Sequence, residues 1–477
     1  MRSTHAPATI EGQLPEVEPR GLVRSLGLWD VTAITAGTIL GSAIFIAAAF
    51  VPREVPHPTL ALLLWVVGGL IAVAGALTYA ELGAMFPHAG GQYHYIKQAF
   101  GPLWGFLFGW TSLIAIQSGA NAYLGVAFGE YLGAFVPFFS STNIIASIPL
   151  GPWTWQPNTV QLAGVTALAV LSAINYCGTK QGARVQGALT AIKLMSVAGL
   201  VGFGLLAPAN VSPEWTAPLP TGNLLTGMGL AIVFVLGSYD GWYQATLCAG
   251  EIKRPERNLP LGMIGGTALI SVVYLLVNLV YFRALPLSEI GASTRIGQEA
   301  TTALLGPTAG RLMAAAVLIS VFGCLSSAII GASRLGLPMS EDAPAFRWMA
   351  RIHPRFRTPT AGIVTLGLWS MLLVLTGSYE QLFQYSLFAG FIFHVITGLG
   401  LFRLRRERPA APRPYRVFGY PWIPGLFVLA MTGLVLNTAY ERPVQSLVGV
   451  GLVALGVPFF RWRQVTAQAR SAGTPVR

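Results

Sequence analysis

The chain has 477 residues, 53% hydrophobic and only 10% charged, with a formal net charge of +12 and a mean hydropathy of +0.61. Soluble domains carry about 25% charged residues. The composition therefore excludes a soluble globular protein and makes the basicity a question of topology rather than of nucleic-acid binding.

Residues 1–27 are polar and contain proline. They lack the apolar core and cleavage site of a signal peptide and read as a cytoplasmic tail. Twelve apolar runs follow, at about 28–50, 58–86, 102–130, 158–177, 185–207, 222–249, 260–282, 309–336, 360–376, 381–402, 422–438 and 444–460. Each suits a membrane-spanning helix, because lipid offers no partners for unpaired backbone groups.

The first run is interrupted by Gly37-Thr38-Ile39-Leu40-Gly41-Ser42-Ala43, small residues of poor helix propensity. Pro87-His88-Ala89-Gly90-Gly91 turns the chain after the second run, and Phe100-Gly101-Pro102 opens the third. The sixth run is interrupted by Gly237-Ser238-Tyr239-Asp240-Gly241, and Asn258-Leu259-Pro260 opens the seventh. Residues 295–306 suit a short helix outside the membrane, and Ser340-Glu341-Asp342-Ala343-Pro344 breaks the segment after the eighth run. A basic, proline-rich loop at 403–421 separates the last two spans, 422–460, from the rest, and 461–477 form a second cytoplasmic tail.

The expected architecture is an all-α polytopic membrane protein of 12 transmembrane helices. The first ten divide as five plus five, 28–207 and 222–402, with discontinuous helices 1 and 6. An odd number of spans per half inverts the second repeat, and paired breaks point to a transporter's binding site. The charges agree with an ordered topology. Arg53, Arg283, Arg295, Arg311 and Arg442 fall on one side, Lys193 lies within a span, and the rest of the 30 Lys and Arg fall with the termini. The positive-inside rule then puts both termini in the cytoplasm of a multi-pass plasma (inner) membrane protein.

A broken helix frees backbone groups at its new ends. The half-helix restarting near Ser42 and Ala43 offers amides and a positive dipole end, suited to a carboxylate. Carbonyls ending the first half of span 6, around Val235 to Gly237, suit an ammonium. The two together describe a site for a zwitterion such as an α-amino acid. The candidate substrate contacts are Ile39, Gly41, Ser42 and Ala43 with Phe234, Gly237, Ser238 and Asp240. Asp240 could counter an ammonium or move a proton, but an acid at a helix start most often holds backbone amides. His394 in the tenth span reads as a buried neutral histidine, and Glu81 and Glu130 as structural acids. Lys193 lies deep in the fifth span, where a lysine costs at least about 2.5 kcal/mol unless paired or snorkelling. The cysteines Cys177, Cys248 and Cys324 suggest packing rather than a disulfide framework or metal site. No histidine pair with a glutamate between and no Gly-x-Ser-x-Gly turn supports an enzyme. No cofactor or metal is expected.

Several stretches resemble the amino acid–polyamine–organocation superfamily, and within it the L-amino-acid-transporter-like exchangers. They are Gly37–Phe45, Tyr79-Ala80-Glu81-Leu82-Gly83, Pro87 through Pro102, Gly182-Ala183-Arg184-Val185-Gln186, and Glu251 through Pro260. Ile352-His353-Pro354 and Arg413-Pro414-Tyr415-Arg416 with Gly419-Tyr420-Pro421 complete the series, in family order. The resemblance implies the leucine-transporter-type inverted repeat and alternating access. It implies a sodium-independent exchanger of neutral L-amino acids; a proton-coupled symporter of the same fold is the alternative. It places the Lys193 ammonium beside the unwound part of span 1, where sodium-coupled relatives bind an ion, with Ser320 as its span 8 partner. Two positions depart from the pattern. Ala43 stands where the family resembles Gly-Ser-Gly, and would be strained there at positive φ. Gly237 stands where the family usually has an aromatic gate, so that the site is roomier or Phe234 covers the substrate. The loop from about Val136 to Pro157 has no cysteine where heavy-chain-linked relatives carry theirs, so no disulfide-linked heavy chain is expected.

Overall fold

The computed structural model describes residues 24–471 except 87–90, 152, 179–181, 221–222, 334, 337–338, 341–345, 347, 350 and 357. Most of the tail 1–27, the turn at 87–90, the 341–344 stretch and the last residues of the tail 461–477 lie outside the described residues.

The elements run α1 (Leu28–Ile39), α2 (Ala43–Ile46), α3 (Phe50–Glu54), α4 (Pro58–Met85), α5 (Gly91–Phe100), α6 (Pro102–Thr111) and α7 (Gln117–Leu132). A hairpin of β1 (Ile148–Leu150) and β2 (Trp153–Trp155) follows, then α8 (Thr159–Cys177), α9 (Gly182–Leu206), α10 (Leu224–Tyr239) and α11 (Pro255–Ala284). The remainder is α12 (Leu287–Ala292), α13 (Ile296–Leu305), α14 (Pro307–Ser333), α15 (Thr360–Val374), α16 (Tyr379–Glu407), α17 (Trp422–Glu441) and α18 (Pro443–Ser471). The chain is otherwise helical, and the short antiparallel hairpin, Ile148 opposite Trp155, lies in the loop before α8. The last helix runs on to Ser471 rather than stopping at 460.

Helix starts carry the polar groups that free amides require. Asn158 and Gln161 form a reciprocal capping box at α8, as Ser378 and Gln381 do at α16. Eight helices among the described residues are long and apolar enough to cross a membrane. The third apolar run is helical from Pro102 to Leu132, with a π-helical turn, Ser112–Ile116, between α6 and α7. Two carbonyls of that turn accept hydrogen bonds from side chains, Ile116 from Ser386 Oγ (2.7 Å) and Ile114 from Trp369 Nε1 (2.8 Å). Ala191–Leu206, Thr360–Val374 and Ser446–Arg461 are shorter apolar helices.

Outward faces carry exposed apolar side chains such as Leu70, Leu269, Leu312, Leu368 and Leu429. This is the arrangement lipid demands, since hydrocarbon solvates them as water cannot. The buried core follows α4 and α11, with Trp65, Tyr79, Tyr274 and Tyr281 fully enclosed. Helix α1 lies on α11, α10 packs on α4, and α7 contacts α8, α14 and α16. This packing brings the interruptions after α1 and α10 together.

Candidate functional site

Helix α1 ends at Ile39. Leu40 leaves the helical region with ψ of 75°, and the chain re-enters it at Ser42. Phe45 is the first amide of the restarted segment to bond backward, to Ser42 O (3.0 Å). Ser42, Ala43 and Ile44 thus donate no backbone hydrogen bond among the described residues. Arg254 is the one non-glycine residue at positive φ among the described residues, so Ala43 keeps ordinary helical geometry and the expected strain is absent.

The carbonyls freed by this break are held by side chains. Lys193 Nζ donates to Gly37 O (2.8 Å), Tyr274 Oη to Ile39 O (2.8 Å), Tyr281 Oη to Ile44 O (3.1 Å) and Tyr131 Oη to Phe45 O (2.9 Å). The three tyrosines were not singled out from sequence. Their available signal was weak: two sit seven residues apart on α11, a spacing that keeps one helix face.

Helix α10 runs through Tyr239, so the interruption falls in the last part of the expected Gly237–Gly241 stretch. Gly237 O accepts the Asp240 amide (3.2 Å) and Phe234 O accepts Ser238 Oγ (2.8 Å), so the carbonyls around Val235–Gly237 belong to a closed helix end. The true interruption follows Asp240, at Gly241 with φ +126°, before a 3-10 helix, Gln244–Glu251. Only glycine suits that backbone, and a side chain there would begin 2.8 Å from Thr38 O. The two breaks are stitched directly. Thr38 Oγ1, 2.8 Å from Ile34 O in its own helix, lies 3.1 Å from Gly241 O, and the Tyr274 hydroxyl that reaches Ile39 O lies 3.0 Å from Ser238 O.

Tyr274→Phe should therefore loosen both breaks at once. A buried carbonyl left without its donor costs about 1–3 kcal/mol. The expected result is a lower unfolding temperature for the detergent-solubilised variant with the helix content unchanged. An unaltered melting curve would mean the hydroxyl clamps nothing.

Lys193 is buried, 4% exposed. Besides Gly37 O it approaches Cys324 Sγ at 3.9 Å. The expected partner Ser320 lies one turn earlier on α14, buried, with no hydrogen-bond partner for its hydroxyl among the described residues. The ammonium thus stands between span 1 and span 8, and its neighbour on the latter is residue 324. Both residues lie on one face of α14, four apart, and the sequence does not separate them.

Among the described residues no backbone amide donates to the Asp240 carboxylate. Its carboxylate is about a third exposed and lies 3.9 Å from His394 Nε2. His394 Nδ1 is in turn 2.7 Å from the Tyr79 hydroxyl. A series of polar groups, buried Tyr79 and His394 and the partly exposed Asp240, therefore runs from α4 through α16 to the interruption of span 6. Trp242, Tyr243 and Phe427 surround the imidazole, with ring centroids 5.1 to 6.4 Å away.

Gly237 faces no open space. A side chain there would begin 2.6 Å from Phe383 Cζ, with Leu387 closer still. Phe234 is fully buried between Phe50 (4.8 Å) and Phe383 (6.2 Å). The expected extra room at Gly237 is thus filled by a ring from α16.

Away from the breaks, Glu81 is fully buried and accepts two hydrogen bonds from Arg405 (2.9 and 2.6 Å) and one from the Val417 amide (2.7 Å). Arg413 Nε stands 3.6 Å away. This pins the basic loop after α16 to the end of α4. Burial beside the Glu81 charge pushes the Tyr415 hydroxyl up to about 12. At the opposite end of the bundle Arg53 pairs with Glu380 (2.7 Å). Among the described residues no group of three or more His, Cys, Asp or Glu could hold a metal.

Comparison with known proteins gives a consistent picture. The profile of a family described as amino acid permease matches residues 26–455. The chain is 30% identical over 423 residues to the serine/threonine exchanger SteT of Bacillus subtilis, covering 87% of this chain and 90% of that protein. It is 30% identical over 458 residues to the human b(0,+)-type amino acid transporter 1 (95% and 90%). It is 28% identical over 461 residues to the human cystine/glutamate transporter (94% and 89%).

Proposed function

From the fact that this chain belongs to the amino acid permease family, we propose that it is a sodium-independent exchanger of neutral L-amino acids working by alternating access. The observation that carries this is the pair of stitched breaks. The free amides of Ser42, Ala43 and Ile44 suit the substrate carboxylate. In this reading Asp240 and the turn after α10 serve the ammonium, and Ile39, Gly41 and Ser238 complete the substrate contacts. Lys193 holds Gly37 O as a cation would, which supports the absence of sodium.

In this reading twelve helices cross the membrane, the first ten as two inverted sets of five. Both termini face the cytoplasm of the plasma (inner) membrane, where most Lys and Arg then lie. No disulfide-linked heavy chain is needed, since no cysteine stands between Val136 and Pro157.

The test is counterflow of labelled amino acids in proteoliposomes, with and without sodium, on wild type and Gly41→Val. A Cβ at Gly41 meets only ordinary contacts, 3.7 Å at the nearest, so the first carbon of a side chain fits. The expected outcome is sodium-insensitive exchange by wild type, lost at least about tenfold in a variant that still inserts. Exchange that requires sodium, or an active Gly41→Val, sinks the assignment.

A second reading, proton-coupled symport, is favoured by the Tyr79–His394–Asp240 series, in which the imidazole stands 2.7 Å from the tyrosine hydroxyl and 3.9 Å from the carboxylate. It requires uptake into empty vesicles to follow an imposed pH gradient.

A further inference from the structure

Resting on that reading, we propose that Phe383, carried by α16, covers the substrate's side chain and sets its maximum size. Phe383 is fully buried in the second turn of α16. Its ring stacks nearly parallel on Phe234 (6.2 Å, 9°) and Tyr379 (5.5 Å, 19°), and Tyr123 of α7 meets it edge-on at 5.0 Å. On α10 it lies against Gly237, where any side chain would collide with it.

Gly237 is one turn before Asp240 and the interruption of span 6. The position of α10 that would present a side chain beside the break presents none, and its volume is supplied across the helix interface. The distinction matters for motion. A ring rooted in α10 would stay with the break, whereas Phe383 moves with α16. Interiors pack at near-crystalline density, so removal of this ring leaves room that a longer substrate side chain can enter. Pocket shape discriminates neutral side chains by about 10- to 200-fold per methylene-sized difference. A whole phenyl ring lies above that range in volume.

The test compares wild type, Phe383→Ala, Phe383→Leu, Gly237→Phe and the double variant Gly237→Phe/Phe383→Ala in proteoliposomes. The reading is competition by a ladder of neutral amino acids from alanine to tryptophan. Phe383→Ala is expected to narrow the preference for the favoured size by at least about tenfold, admitting larger side chains. Phe383→Leu, which keeps apolar volume and protects folding, should show a smaller shift in the same direction. Gly237→Phe alone should stop exchange by collision. The double variant should regain exchange with a size profile near wild type, because it returns one ring to one space. An unchanged profile in transporting Phe383→Ala and Phe383→Leu overturns the inference while leaving the transport reading intact. A double variant no better than Gly237→Phe overturns it as well. Wild-type vesicles that exchange no amino acid sink both.

Discussion

Lys193→Ala is expected to slow exchange by about 10- to 100-fold while leaving the chain folded in the bilayer. The lysine donates a charged hydrogen bond of 2.8 Å to Gly37 O, in the last turns before the span 1 break. Such bonds contribute about 1.5–3 kcal/mol, and each 1.4 kcal/mol is tenfold. Stability should suffer little, because the substitution also removes an ammonium whose burial costs at least about 2.5 kcal/mol. The loss should fall on the step that needs α1 held to α9 and α14. Lys193→Met separates charge from packing: if the bond matters, methionine is as poor as alanine; if only volume matters, methionine exchanges normally. Measuring pH-driven uptake in the same vesicles divides the two transport readings. Retained exchange with lost pH coupling would make Lys193 the proton carrier. Wild-type behaviour in both assays would leave it a lysine that merely found an acceptor.

What could be read from the chain, and what could not, divides along a physical line. The break in span 1 was legible because Gly37 through Ala43 are poor helix formers inside an apolar run, a local property. The break in span 6 was legible as the stretch Gly237–Gly241, but not the point within it at which α10 ends. Gly237 looked like a helix terminator, yet its function in the fold is to admit Phe383 and Leu387, residues about 150 positions away in sequence. Propensity cannot tell a glycine that ends a helix from one that lets another helix close. The tyrosines at 131, 274 and 281 escaped notice for a related reason. Their partners are backbone carbonyls, which carry no residue type to pair in a sequence. Ser320 was taken as the Lys193 partner from the resemblance alone, and the residue of α14 that lies nearest the ammonium, Cys324, is set by rotation about that helix, which no local signal reports. The π turn in the third span and the Ile148–Trp155 hairpin left no signal that periodicity could detect.

Removing the Glu81 carboxylate should damage the fold more than any change at the breaks. Glu81 is fully enclosed, and it answers the Arg405 guanidinium, the nearby Arg413 and the Val417 amide together. The Arg413 side chain is only 4% exposed and that of Arg405 20%. With alanine at 81 these cations face an apolar helix end without a counter-charge. Breaking a buried pair from one side costs about 3–5 kcal/mol, comparable with the whole stability of many domains. The expected outcome for Glu81→Ala is a sharply lower unfolding temperature in detergent and poor recovery of monodisperse protein. Protease cleavage should appear within 408–420, since that loop loses its anchor on α4. Glu81→Gln keeps the shape and one acceptor but not the charge, and should fall between. The decisive comparison is the double variant Glu81→Gln/Arg405→Gln, which removes a charge from each side. If the penalty comes from an unpaired buried cation, the double variant should be more stable than Glu81→Gln alone. If it is as unstable as the sum of its two single changes, the network holds the loop by hydrogen-bond geometry rather than charge balance. A Glu81→Ala protein that melts with wild type would mean that water reaches both arginines and that the acid is dispensable.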